Sequence, residues 1–196
     1  MTDVRSLLET LPLFPLDSVL MPGARIRLRV FERRYIDLIC ECSHSSSTFG
    51  VILSVRGREA GTRAIPAGYG TEVLIEDFDI GADGLLVLSI RGCRRFCVQQ
   101  TTLRDDGIVV ADVKWCAPAQ DDELRPEHAF LATLLGRMLD QIRGAAGFSG
   151  PELLDQASWV GWRLAELLPL KEEQRLCLLQ QEDPHQRLEQ LLAWMN

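Results

Sequence analysis

Two lysines, three histidines and six cysteines bound the chemistry that this 196-residue chain can perform. A Walker-type nucleotide loop needs Gly-Lys-Ser/Thr, because the lysine reaches the terminal phosphates and the hydroxyl holds the metal. Lys114 follows Val113 and Lys171 follows Leu170, so neither lies in such a loop. A serine-hydrolase elbow needs Gly-x-Ser-x-Gly, and Ser149 has Gly147 and Gly150 beside it at the wrong spacing. His44, His128 and His185 lie far apart along the chain, and none sits in a His-Glu-x-x-His helix. Gly68-Tyr69-Gly70 lacks the third glycine of a dinucleotide loop and reads as a turn. Cys40 and Cys42 are two apart, Cys93 and Cys97 four apart, and Cys116 and Cys177 stand alone. Without a Cys-x-x-Cys pair a structural zinc site has no support, and small buried thiols in a reducing compartment are the expectation. No catalytic residue, metal or cofactor is therefore expected.

The elements that would position a binding site divide the chain in two. Hydrophobic residues make up 46% and charged residues 25%, the balance of a folded soluble protein. The longest stretch without Asp, Glu, Lys or Arg runs from Cys42 to Val55 and contains a serine cluster, so no membrane helix is expected. Asp3, Arg5 and Glu9 break any secretory apolar segment, which places the expected location in the cytoplasm. Residues 1–117 carry 14 basic and 15 acidic side chains, whereas residues 118–196 carry 7 and 13. No strongly basic domain exists to hold a polyanion; the nearest thing is a local arginine stripe.

Residues 1–117 read as a β-rich subdomain. Leu11, Leu13, Phe14 and Leu16 with Pro12 and Pro15 predict an edge or irregular strand, since proline gives no ladder donor. Pro22-Gly23 marks a turn. From Arg25 to Val30 the alternation is clean, with Ile26, Leu28 and Val30 on one face and Arg25, Arg27 and Arg29 on the other. Phe31, Tyr35, Leu38, Ile39 and Cys42 form one stripe of a helix over about 32–42, and the serines at 45–47 end it. Phe49–Val55 predicts a strand and Gly57–Gly70 a glycine-rich loop. Strands at 72–80 and 85–91 join through Gly81-Ala82-Asp83-Gly84, and strands at 94–104 and 108–115 through Asp105-Asp106-Gly107. Several short strands with regular turns and one inserted helix predict a closed or nearly closed β-barrel.

An acidic, proline-bounded linker over 118–126 leads to a helical region over 127–196. Leu131, Leu134, Leu135, Met138 and Ile142 form the first stripe. Pro151 suits the first turn of a second helix carrying Leu153, Leu154, Ala157, Val160, Leu164 and Leu168. Leu176 and Leu179 mark a short third helix. Asp183-Pro184-His185-Gln186 predicts an N-cap, proline at the first helical position and a variant capping box for the last helix. The expected fold class is α+β, a barrel followed by a four-helix bundle.

Three stretches together, Leu11-Pro12-Leu13-Phe14-Pro15-Leu16, Val19-Leu20-Met21-Pro22-Gly23 and Val30-Phe31-Glu32-Arg33-Arg34-Tyr35, resemble the opening of the Lon protease N-terminal domain. Gly70-Thr71, Asp83-Gly84 and Gly92-Cys93-Arg94-Arg95-Phe96 resemble its later motifs, and Leu167-Leu168-Pro169 and Asp183-Pro184-His185-Gln186-Arg187-Leu188 its helical end. The family often has Phe where Met21 stands and Pro where Arg27 stands. The resemblance implies a pseudouridine-synthase-and-archaeosine-transglycosylase-like (PUA-like) β-barrel, a helical bundle, and a free-standing substrate-binding domain without the ATPase and peptidase modules. The implied partner is unfolded or partly folded polypeptide, with a separate protease or ATPase as the counterpart of an adaptor. Phe31, Tyr35, Trp159 and Trp162 are the candidate polypeptide contacts. Pro22, Gly23, Glu32, Arg34, Gly84, Gly92, Arg95, Phe96, Asp183 and Pro184 are family-motif residues expected to serve the fold. RNA binding through Arg25, Arg27 and Arg29 is the competing and weaker reading, because PUA-like folds include RNA binders.

Overall fold

The computed structural model describes residues 8–55, 65–118, 122–146 and 153–195. The chain is α+β, and its order is β1 (Glu9–Leu16), β2 (Arg25–Val30), α1 (Arg33–Ser45), β3 (Phe49–Val55), β4 (Ile65–Ile80), β5 (Leu86–Leu103), β6 (Val109–Trp115), a 3-10 turn (Pro126–His128), α2 (Ala129–Ala146), α3 (Ala157–Leu167), α4 (Glu172–Gln180) and α5 (Pro184–Met195). It divides into two compact units, Met1–Cys116 and Ala117–Asn196.

The first unit holds a six-stranded mixed sheet in the order β2-β5-β4-β3-β1-β6, with β5 also pairing β6. Of the two expectations for β1, an edge or an irregular strand, the second holds: it has neighbours on both sides, each along only part of its length. Glu9–Leu13 pair antiparallel with Val113–Val109, whereas Leu13–Leu16 pair parallel with Gly50–Leu53. Each proline lies in a half that is unpaired on one side, so β1 is two short one-sided edges joined at Leu13. A missing donor is tolerated in such a half.

The glycines correct two further expectations. Gly70 was expected in a loop, but β4 begins at Ile65; the rest of that expected loop, residues 57–64, lies outside the described residues. A Cβ on Gly70 would stand 2.4 Å from the Phe96 ring and 2.6 Å from the Val51 carbonyl oxygen, so the glycine admits a close approach inside the sheet. The segments at 85–91 and 94–104 form the single strand β5, and Gly92 lies within it. A Cβ there would stand 2.5 Å from the Met21 carbonyl oxygen. Gly23, at φ 77°, donates to the Gly92 carbonyl at 2.9 Å, and the Gly92 N–H donates to the Ala24 carbonyl at 2.9 Å. This is a G1 bulge, and it explains why Pro22-Gly23 precedes β2.

Helix α1 buries Tyr35, Leu38, Ile39 and Cys42, the stripe read from the sequence, but Phe31 precedes the helix and is 71% exposed. The helix runs on to Ser45 and ends at Ser46 in the left-handed conformation, φ 51°. Glu72 is buried on β4 and accepts hydrogen bonds from Arg94 Nε at 2.8 Å, Arg94 Nη2 at 3.1 Å and the Thr48 hydroxyl at 2.8 Å. The Arg94 guanidinium lies 3.8 Å from the Trp115 ring centroid.

In the second unit α3 packs against α2, α4 and α5. The second helix was expected to start near Pro151, but it starts at Ala157, and Leu153 and Leu154 precede it. Asp122, assigned above to a linker, accepts the Ala157 N–H through its carbonyl at 2.7 Å and the Ser158 N–H through its carboxylate at 2.6 Å. It therefore sets the start of α3 from a distant point in the sequence. Asp183 caps α5 as expected, accepting the His185 N–H at 2.8 Å, but Gln186 takes a hydrogen bond from the Gln181 side chain instead of completing a capping box. Histidines remote in sequence meet here: His128 and His185 are both buried and stack with centroids 5.5 Å apart at 18°.

Two buried groups, His128 and Glu72, contribute to a pH dependence of stability, alongside the exposed carboxyls of Glu76 and Asp106, which hydrogen bonds from Arg25 and from the Ile108 N–H also hold low. Burial and the neighbouring His185 hold His128 below its ordinary value of 6.5, against the opposing pull of Glu127 and Glu189. Burial alone would raise Glu72, but the hydrogen bonds from Arg94 and Thr48 outweigh it and hold the carboxyl below its ordinary 4.5. Both folded forms resist protonation, so each contribution is complete above the unfolded value and is lost as pH falls through the folded one. Unfolding free energy measured against pH is expected to fall first below about pH 6.5 and again below about pH 4.5. His128→Gln should flatten the first limb only and Glu72→Gln the second only. A profile unchanged by both would refute the assignment.

Candidate functional site

Strand β6 begins at Val109, opposite Leu13, so the stretch of β1 beyond Leu13 has β3 on one side and, among the described residues, no ladder partner on the other. A cleft of about 500 Å³ opens there. Its walls are Leu13 and Pro15 of β1, Ile52, Leu53 and Ser54 of β3, Leu103, Gly107 and Val109 around the β5–β6 hairpin, and Arg34 and Tyr35 of α1. The lining is mainly apolar, with one guanidinium and one phenol. Among the described residues the lining contains no histidine, cysteine or carboxylate, and so no nucleophile paired with a base.

The Glu-Arg-Arg-Tyr motif builds the α1 side of this cleft. Arg34 pairs with Glu32 through Nη2 at 2.7 Å and donates Nη1 to the Gly107 carbonyl at 2.8 Å. It thereby ties the first turn of α1 to the β5–β6 hairpin. Its guanidinium stands 4.7 Å from the Tyr35 ring centroid, and that ring lies 4.5 Å from Phe14. Burial raises the Tyr35 phenol, Arg34 opposes the rise and Glu32 adds to it. The hydroxyl therefore stays neutral near pH 7. The cleft can bury apolar side chains and offer a few polar contacts, the composition typical of a ligand-binding cavity.

The sequence candidates fall into different settings. Tyr35 is buried and lines the cleft, while Phe31 is exposed at the end of β2. In the second unit Trp159 is half-buried, and Trp162 is buried beneath the Arg187 guanidinium, 3.4 Å from its ring centroid. Arg25, Arg27 and Arg29 share the exposed face of β2. Arg25 shares Glu76 with Arg91, at 2.9 and 2.8 Å, and Arg29 pairs with Asp83; among the described residues no ion pair reaches Arg27. Gly84 sits in its turn at φ 78°, Arg95 and Pro184 are buried, and Asp183 is a cap. The sequence did not reveal Ile52, Leu53, Leu103 or Val109, because cleft walls and core use the same apolar residue types. The signal available was Leu103, an apolar strand end that remains 46% exposed. Among the described residues no cluster of three or more His, Cys, Asp or Glu could hold a metal ion, and no helix is long and apolar enough to cross a membrane.

The family model for the ATP-dependent protease La (LON) substrate-binding domain matches residues 10–196. The chain is 24% identical over 221 residues to a LON peptidase N-terminal domain and RING finger protein of Schizosaccharomyces pombe, covering 95% of this chain and 45% of that protein. It thus spans less than half the length of this curated relative. The crystal structure of a Lon N-terminal domain protein from Xanthomonas campestris is similar at 61% identity and a TM-score of 0.82, covering 96% of this chain and 99% of that one. The N-terminal domain of the Mycobacterium avium complex Lon protease shares the fold, with a TM-score of 0.67 at 16% identity over 95% of this chain and 97% of that one. With the match extending over nearly all of its length, the chain belongs to the family of ATP-dependent protease La (LON) substrate-binding domains.

Proposed function

We propose that the chain is a non-enzymatic polypeptide-binding module that takes apolar side chains of unfolded or partly folded proteins into the cleft between β1, β3, the β5–β6 hairpin and α1. The observation that carries this reading is an open apolar cleft of about 500 Å³ in a member of a substrate-binding family. In this reading the module acts in the cytoplasm as an adaptor in protein quality control, working with a protease or ATPase. The finer architecture, a PUA-like barrel over 1–117 joined through 118–126 to a helical bundle over 127–196, is also proposed. It is supported by the circuit of pairings β1-β3-β4-β5-β6-β1 and by the packing of α3 on three other helices. RNA binding through Arg25, Arg27 and Arg29 is less well supported, because Glu76 and Asp83 already engage two of the three.

The test is binding of a labelled, reduced and alkylated model protein. Apolar burial should persist from about 50 to 200 mM salt, where several phosphate contacts would lose orders of magnitude. Leu103→Asp places a charge at the half-exposed rim and should weaken binding roughly tenfold while the circular dichroism spectrum is unchanged. An unfolded protein that does not bind, or that binds Leu103→Asp equally well, would refute the proposal.

A further inference from the structure

Strand β2 is the end strand of the sheet, and among the described residues it pairs with β5 alone. Its six residues follow one register without a bulge, from Arg25↔Arg91 to Val30↔Leu86. The bulge at Gly23-Ala24 fixes which way each peptide unit points. Gly92 donates to Ala24, so Ala24 is hydrogen-bonded to β5. In an antiparallel ladder such pairs recur at every second residue. Ile26, Leu28 and Val30 therefore turn their backbone groups toward β5, and Arg25, Arg27 and Arg29 turn theirs outward. Among the described residues no other backbone group bonds that outward row.

We infer that this edge docks an extended polypeptide segment of alternating acidic and apolar residues, added antiparallel to β2. The inference rests on the polypeptide-binding reading and names a class of segment it would recognise. Backbone pairing supplies affinity independent of sequence, and the alternate side chains supply selectivity. Residues directly opposite each other in a ladder share a face. Acidic side chains of the segment then meet Arg25, Arg27 and Arg29, and its apolar side chains extend the half-buried row of Ile26 and Leu28. Exposed Phe31 follows immediately on β2. Arg25 gives its Nε to Glu76 and Arg29 its Nη2 to Asp83, and a guanidinium has five donors, so each has donors left for a second carboxylate. The same arginines disfavour a second copy, because β2 against β2 sets arginine beside arginine. A nucleic-acid strand has no peptide N–H and C=O groups to pair with this outward row, so it would forgo the ladder.

The probe is a capped heptapeptide of alternating valine and glutamate, compared with its lysine counterpart by fluorescence anisotropy. The glutamate peptide should bind at least roughly tenfold tighter than the lysine peptide. Arg27→Pro removes an outward N–H without touching the β5 ladder and should weaken binding roughly tenfold, whereas Arg27→Thr keeps the N–H and should cost only about two- to threefold. Peptide N-methylation avoids any question of protein folding. Methyl groups on the glutamate amides, which face β2, should abolish binding, and those on the valine amides should be tolerated. Equal affinity for both charged peptides, or indifference to which amides are methylated, would overturn the inference. So would a single-stranded RNA that binds instead of the peptide and is lost on changing all three arginines to glutamate. If the unfolded model protein binds and the peptide does not, the edge site falls and the cleft reading stands; if neither binds, both fall.

Discussion

Phe96→Ala is expected to lower the unfolding free energy of the protein by about 3–5 kcal/mol, the range for emptying a buried aromatic site. Phe96 is wholly buried on β5, with its ring against Trp115 at 6.1 Å and 89°. Two glycines make room for it. A Cβ on Gly50 would stand 2.6 Å from the Phe96 ring and 2.9 Å from the Leu11 side chain. One on Gly70 would meet the same ring and also the Val51 carbonyl. Gly50→Ala and Gly70→Ala should each cost about 1–3 kcal/mol by overpacking. Combined with Phe96→Ala the two should part company. The Gly50 collision involves side chains only, so removing the ring relieves most of it and the double variant should be more stable than the sum of its parts by about 1 kcal/mol. The Gly70 collision with backbone remains, and its double variant should be close to additive. Denaturant melts of the three single variants, the two double variants and wild type check this. Additivity in both cycles would show that the ring does not rest on Gly50.

The second large effect is expected at Arg187. This side chain is 1% exposed, and it donates Nε to the Leu178 carbonyl at 3.3 Å and Nη2 to the Gln181 carbonyl. These carbonyls lie at the C-terminal end of α4, where backbone acceptors outnumber helical donors; the Leu178 carbonyl also accepts the Gln181 N–H at 3.2 Å. The guanidinium plane also covers the Trp162 ring. Arg187→Met keeps the aliphatic stem but leaves the two buried carbonyls without these donors, and should cost about 2–4 kcal/mol. Arg187→Lys should cost no less, because a compact ammonium cannot reach two acceptors while stacking on an indole. Wild-type stability in the lysine variant would show that charge alone matters at this position.

What could be read from the sequence was whatever depends on near neighbours. The alternation of Arg25–Val30, the Tyr35-Leu38-Ile39-Cys42 stripe and the Asp183 cap are properties of a few consecutive residues, and the structure contains them. What was misread depends on contacts between distant segments. Proline announces a lost donor but not the side on which the loss falls, so the sequence could not decide between an edge and an irregular strand for β1. Gly70 and Gly92 signal a loop by residue type, yet each is a point of close approach fixed by Phe96 or Met21. The start of α3 is set by Asp122, 36 residues before Ser158. The cleft was invisible for the same reason: its walls differ from core residues only in what fails to cover them. Of the four candidate contacts, Tyr35 reaches the cleft because it closes a helix stripe, whereas Trp162 is already occupied by Arg187.

The divided pairing of β1 has a consequence for how the protein is made. The half of the strand before Leu13 has its ladder partner in β6 alone, and Thr10 reaches Asp112 across 102 residues of sequence. Contacts of such separation must close a long loop before they return any stability, which slows folding. At about 5–20 residues per second of synthesis, residues 9–12 wait on the order of 5–20 s for the strand that pairs with them. Throughout that interval this part of the nascent chain, with Leu11 in it, lacks its strand partner and is an extended segment of the kind that the finished protein is proposed to bind.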